Sequence, residues 1–309
     1  MFYRPAFRLV PDGTRLNFMR GRYLGLAFSA VLSIASVILF FYPGLNLGID
    51  FRGGIVMDVA LPGPVPQPQV VGVLNAAHLP RAEVQTFGKG SEVLVRLPAQ
   101  ADEARTQHDA DAARAALLTK FPGTKILRTD AVGSSVSHQL FMNGLLALGI
   151  SLLMILAYIW FRFELEFAVA GVITLLLDVT KAIGFLAITR IPFDLVMVAA
   201  ILTIIGYSTN DKVVVYDRIR ENLRKYKKMP LRELIDLSIN ETLNRTLGTS
   251  ATVFLASMPL ALFGGDTLSG FAIVMLFGIF VGTMSSIFIA APILLLLGEK
   301  RLRREIVSA

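Results

Sequence analysis

The 309-residue sequence contains no cysteine. Disulfides, thiolate metal sites and cysteine nucleophiles are thereby excluded. Histidine is nearly absent too: His78, His108 and His138 all lie outside the apolar runs. That removes a histidine relay or histidine metal site from the apolar interior. Charge is thin, at 17 % of residues, against 54 % hydrophobic residues and a mean hydropathy of +0.62. Soluble domains carry about 25 % charged and roughly 45–50 % apolar residues. What fills the chain instead is long uncharged runs, which mark an integral membrane protein. The net charge of +7 does not require nucleic acid, because basic residues of membrane proteins gather in cytoplasmic loops.

Six runs reach spanning length, at about 23–42, 139–161, 165–188, 194–216, 246–264 and 269–297. Arg4, Arg8, Arg15, Arg20 and Arg22 precede the first run, as in a signal peptide. That run is about 20 residues long and leads into Pro43-Gly44-Leu45-Asn46 with no small-x-small cleavage pattern, which predicts an uncleaved first span. The 217–245 segment carries eight basic residues and EKRLRRE at the end carries four, whereas TRIPFD and GGDTLSG hold one between them. All the basic segments fall on one side only if both tails, 1–22 and 298–309, and the 217–245 loop are cytoplasmic. The stretch DRIRENLRKYKK is basic and amphipathic and is expected to lie along anionic lipid.

Residues 43–138, between spans 1 and 2, then form an external domain. GGIVMDVAL alternates as a strand, QVVGVLNAAH reads as a helix, and RAEVQTFGKGSEVLVRLPA reads as two strands around Gly88-Lys89-Gly90. HDADAARAALLTKF is helical and TKILRTDAVG closes as a strand. The order βαββαβ predicts a small α+β ferredoxin-like domain. Ahead of it, LNLGIDFRGG sets Asp50 and Arg52 about an aromatic residue, and Gly53-Gly54 permits a tight turn.

Polar residues inside the spans are the candidate site. Asp178 lies near the middle of span 3, with Lys181 one turn away on the same face. A charge there costs about 2.5–3.5 kcal/mol on insertion scales, so it should face the bundle or a wet cavity. Either a self-neutralising pair or a proton or ion site fits. In span 4, Asn210 and Asp211 interrupt an apolar helix and read as a buried polar site. Counting from the span ends at 1.5 Å per residue puts Asp211 and Asp178 about 10 Å apart in depth. Lys212 projects about 100° from Asp211 and is expected to snorkel to the inner interface. Arg245, at the start of span 5, sits at the depth of Asp211; ordinary basic flanking and a carboxylate partner are both open. Thr246, Thr249, Ser250 and Thr252 supply hydroxyls, and Gly278-x-x-x-Gly282 with Ser285-Ser286 suits close helix packing.

Taken in order, GIDFRGG, WFRFE, IGYSTNDKVVVYDRIREN and LNRTLGTS resemble the SecD/SecF family of protein-export membrane proteins, on its SecF side, within the resistance-nodulation-division superfamily. The resemblance covers essentially the whole chain. It implies a six-helix half of a pseudo-symmetric bundle with a periplasmic domain, in the bacterial inner membrane. It further implies a non-enzymatic subunit that pairs with SecD, associates with SecYEG, and uses inward proton flow to assist late preprotein export. YajC and YidC are further partners it allows. No cofactor is implied beyond the proton gradient, with sodium as the other ion. The resemblance places a relay carboxylate at Asp211 with Arg245 as its charged partner, and adds Asp178 to the polar set. Three positions depart from the family pattern: Leu177 where His is common, and Lys181 and Lys212 where uncharged residues are common. Those two cations would modulate the carboxylates. A structural scaffold of the translocon without ion coupling is the alternative.

Overall fold

The computed structural model describes residues 10–11, 15–79, 82–87, 91–100 and 103–297. Arg4, Arg8, the expected turn at Gly88-Lys89-Gly90 and the basic C-terminal tail lie outside the described residues. Two compact units emerge, one of Leu47–Ala147 and one of the remaining helices.

The first unit follows the expected order. A one-turn helix α2 (Ile49–Arg52) leads to β1 (Gly54–Ala60), α3 (Gln67–Ala76), β2 (Glu83–Phe87), β3 (Glu92–Pro98), α4 (Glu103–Lys120) and β4 (Lys125–Val132). The sheet order is β2-β3-β1-β4, and every pair is antiparallel. This is the ferredoxin-like βαββαβ arrangement. Alternation along the strands sends Ile55, Met57 and Val59 of β1 and Val93, Val95 and Leu97 of β3 to one face, where Leu74 and Leu117 of the helices cover them. Gly53 and Gly54 are both required by the backbone. Their φ values are +70° and +120°, and a Cβ on Gly54 would stand 2.1 Å from the Leu97 carbonyl oxygen. Arg52 forms an exposed ion pair with Glu83 at 3.8 Å. The unit runs beyond the expected boundary at 138 because α5 (Ser134–Arg162) starts early; Phe141 on it packs edge-on against Phe51 at 5.5 Å.

The second unit holds the apolar helices. They are α1 (Arg22–Phe41), the rest of α5, α6 (Leu165–Thr189), α7 (Leu195–Lys225), α8 (Leu231–Phe263) and α9 (Gly265–Ser285). Helix α9 continues through a π-helical turn, Ser286–Ala290, into α10 (Ala291–Leu297). Among the described residues six helices are long and apolar enough to cross a membrane, as expected. Span 4 is corrected in length. The expected loop 217–245 is mostly helix, because α7 runs on to Lys225 and α8 starts at Leu231. DRIRENLRKYKK therefore does not form a separate surface helix. Its face packs on α8 through Ile219 and Leu223 against Leu234, Ile235 and Ile239, in one core with Phe163, Phe167 and Tyr216. Asn222 Nδ2 donates to Ser238 Oγ at 2.9 Å and Arg218 Nε to Glu241 Oε2 at 2.7 Å, joining the two extensions. The segment before α1 is tied to the same hairpin: Met19 N donates to Asp236 Oδ1 at 2.9 Å and Leu16 N to Asn240 Oδ1 at 3.0 Å.

Candidate ion-coupling site

Helices α6, α7 and α9 meet where small residues allow it. A Cβ on Gly278 would lie 2.3 Å from Ile204, and one on Gly282 would lie 3.1 Å from Ser208 Oγ. The Gly278-x-x-x-Gly282 face thus receives α7 of the same chain. That close approach sets Ser208 and Ser285 on either side of Asp178.

Asp178 is 2 % exposed. Its Oδ2 accepts from Ser208 Oγ at 2.8 Å, Ser285 Oγ at 2.7 Å and Lys212 Nζ at 2.9 Å. Lys212 is 1 % exposed, and its ammonium also donates to Ser208 Oγ and, at 3.3 Å, to Ser285 Oγ. Lys181 Nζ stands 3.7 Å from Asp178 Oδ1. Asp178 is therefore shared between two lysines, with the tighter bond from Lys212. Two expectations are corrected here. Lys212 does not snorkel to an interface, because its side chain reaches back one turn along α7 to the buried carboxylate of Asp178. Asp178 is not about 10 Å in depth from Asp211, because it is level with Ser208, about one turn away. The count from span ends failed since α7 is far longer than the run that crosses lipid.

Asp211 is buried as expected, at 1 % exposure, on another face of α7. Thr283 Oγ1 on α9 points to its Oδ2 at 3.5 Å, and Thr249 on α8 lies beside it. Thr283 Oγ1 is 2.7 Å from Ser250 Oγ, which in turn accepts from the Tyr207 hydroxyl at 2.8 Å. A line of hydroxyls, Tyr207–Ser250–Thr283, thus ends at Asp211. Each hydroxyl can both donate and accept, so the line can hand on a proton.

Arg245 is brought to the right level but the wrong face. The α7–α8 pairings Asn222–Ser238 and Tyr207–Ser250 place Asp211 opposite about residue 248, within a turn of Arg245. The guanidinium nevertheless lies on the exposed face of α8, and among the described residues no ion pair joins it to Asp211. Asn210 is also exposed, not buried with its neighbour, since adjacent helical residues diverge by about 100°. Thr283, Tyr207, Ser208 and Ser285 were missed as site residues. The available signal was Gly282 immediately before Thr283, and a serine four residues before Lys212.

Comparison with known proteins agrees with this architecture. Residues 113–300 match the family model described as "Protein export membrane protein SecD/SecF, C-terminal", and residues 38–61 match "SecD/SecF GG Motif", which contains Gly53-Gly54. The "Protein translocase subunit SecF" of Rickettsia felis is 41 % identical over 302 residues, 97 % of this chain and 98 % of that relative. Its Rickettsia prowazekii counterpart is 40 % identical over 97 % of each. The crystal structure of SecDF, a translocon-associated membrane protein from Thermus thermophilus, superposes with a TM-score of 0.85 at 33 % identity. That match covers 95 % of this chain but 40 % of the SecDF chain, so the protein spans about two fifths of it. SecDF in its super-membrane-facing form gives a TM-score of 0.66 at 32 % identity, over 99 % and 41 %. The chain belongs to the SecD/SecF family of protein export membrane proteins.

Proposed function

We propose that the chain is the SecF-type accessory subunit of the Sec preprotein translocase. With a SecD-type partner in the bacterial inner membrane, it couples inward proton flow to late export of preproteins through SecYEG. It is not itself an enzyme. In this reading residues 43–138 are periplasmic and both tails are cytoplasmic. The observation that carries the coupling is Asp211, a carboxyl buried inside the bundle and approached by a line of hydroxyls rather than by a fixed guanidinium. Such a group can take up and release a proton without breaking a buried ion pair. Lys212 follows it on α7 and holds Asp178, so a change of charge at 211 is felt at the α6–α7 contact.

The need for a partner follows from the outer face of α7. Ala199, Thr203, Gly206 and Asn210 recur at helical spacing and are exposed, and Arg245 is exposed near the same level of α8. Small and polar residues at mid-span suit a neighbouring helix better than lipid. In this reading Arg245 meets the partner half.

The test uses vesicles carrying the translocase, with ATP held constant. Collapsing the proton gradient should remove the stimulation of export that this chain provides, whereas collapsing a sodium gradient should not. Asp211→Asn should lower stimulation to the level without the chain while assembly stays normal. Undiminished export by that variant would sink the relay role. The scaffold reading, which the static pairing of Asp178 Oδ2 with Lys212 favours, would then stand.

A further inference from the structure

The α1–α6 seam holds four buried polar atoms that find no hydrogen-bond partner in the protein: Ser29 Oγ, Ser33 Oγ, Lys181 Nζ and Asp178 Oδ1. They lie together. Ser36 on α1 touches Gly184 on α6, and farther along Asn46 Nδ2 donates to Arg190 O at 2.8 Å. The nearly constant offset means the helices run parallel. It sets Ser33 level with Lys181 and Ser29 level with Asp178. The side chains of Lys181 and Asp178 are 5 % and 1 % exposed, and their charged atoms are 3.7 Å apart, beyond hydrogen-bond length. The other carboxylate oxygen is fully satisfied by Lys212, Ser208 and Ser285. Asp178 thus has a closed side toward α7 and α9 and an unsatisfied side toward α1. Ser36, one turn along, contrasts with its two fellow serines: its hydroxyl donates to Leu32 O at 2.8 Å.

Beside this seam runs a groove of about 670 Å³ between α1 and α9. It extends from Gly21 to Leu32 on α1 and has Phe280 and Met284 on its other wall; its walls are apolar, and its polar groups are confined to Ser29, Lys181 and Ser285. Gly21 stands at the very start of the span, beside Arg20 and Arg22, where the membrane gives way to water.

We propose that the α1–α6 seam is a hydrated site, reached by water from the Gly21 end of this groove, that solvates the Asp178–Lys181 pair from the side opposite to Lys212. Unpaired in a dry interior, such buried polar atoms each cost about 1–3 kcal/mol, more for charged groups, whereas buried waters typically make about three hydrogen bonds to groups of this kind. The cluster offers donors and acceptors in the mix that water needs: two hydroxyls, an ammonium and a carboxylate oxygen. The site is independent of whether the chain couples ions.

The absence of native cysteine makes the test clean. Single variants Ser29→Cys, Ser33→Cys, Ser36→Cys and Ile34→Cys of the full chain in lipid vesicles are treated with an anionic, lipid-insoluble methanethiosulfonate. That reagent needs a thiolate in contact with water, so Ser29→Cys and Ser33→Cys should react about tenfold or more faster than lipid-facing Ile34→Cys and packed Ser36→Cys. Four equally slow positions, or four equally fast ones, would overturn the proposal. The unaltered chain supplies a second measurement. Under X-ray radiolysis, which oxidises side chains next to bound water, Met284 in the groove should be modified faster than the more exposed Met154 on α5; the reverse order would count against the site.

Discussion

Asp178, Asp211, Lys181 and Lys212 are two acids and two bases buried inside the bundle, and their pairing decides what each substitution does. Removing one lysine leaves Asp178 with the other. Removing the carboxylate leaves two ammonium groups facing each other in the interior. Asp178→Asn should therefore lower the stability of the purified chain by about 3–5 kcal/mol, the cost of breaking a buried pair. Lys181→Met should cost clearly less, because the tighter Lys212 bond survives. Thermal unfolding in detergent reads both, and an equal loss in the two variants would refute the shared-carboxylate arrangement. At this scale the sequence showed which residue types were out of place in lipid. It did not show that Lys212 belongs to Asp178, because a sequence separation of 34 hides a contact made only when α6 and α7 pack.

Helix α9 meets α7 through glycine, so the site depends on backbone proximity. A methyl group at 278 would overlap three side-chain atoms of Ile204. Gly278→Ala should thus destabilise the bundle by about 1–3 kcal/mol, the usual range for overpacking, and Ile204→Ala in the same chain should recover most of it. Failure of the second substitution to rescue the first, followed by thermal unfolding, would show that the α7–α9 contact is not what Gly278 serves. The Gly-x-x-x-Gly signal was legible in the sequence; its partner helix was not, since any apolar helix could fill that groove. Span ends were legible to within a few residues where lipid stops the helix, as at Phe41. They failed for α7 and α8, because those helices continue past the apolar run on the strength of their mutual packing.

The second unit presents one face that its own helices leave open. At Gly206 an added Cβ would meet nothing within 4 Å, so Gly206→Leu should leave the chain folded. If α7 docks a SecD-type partner there, the same substitution should weaken their association about tenfold or more, equivalent to roughly 1–3 kcal/mol of overpacking. Co-purification of the two chains measures it. Unchanged recovery of the partner would place the interface elsewhere.

By itself the sequence determined the membrane class, the six spans, the βαββαβ unit and the family, because hydrophobic length, strand alternation and motif order are local properties. It also identified Asp178 and Asp211 as charges in the wrong solvent. Only the tertiary structure decided their partners. Position along one helix follows from counting residues, whereas depth relative to another helix and the direction a side chain faces follow from packing. For that reason Arg245 arrived at the expected level on an outward face, while Lys212, expected to turn toward water, closed on Asp178.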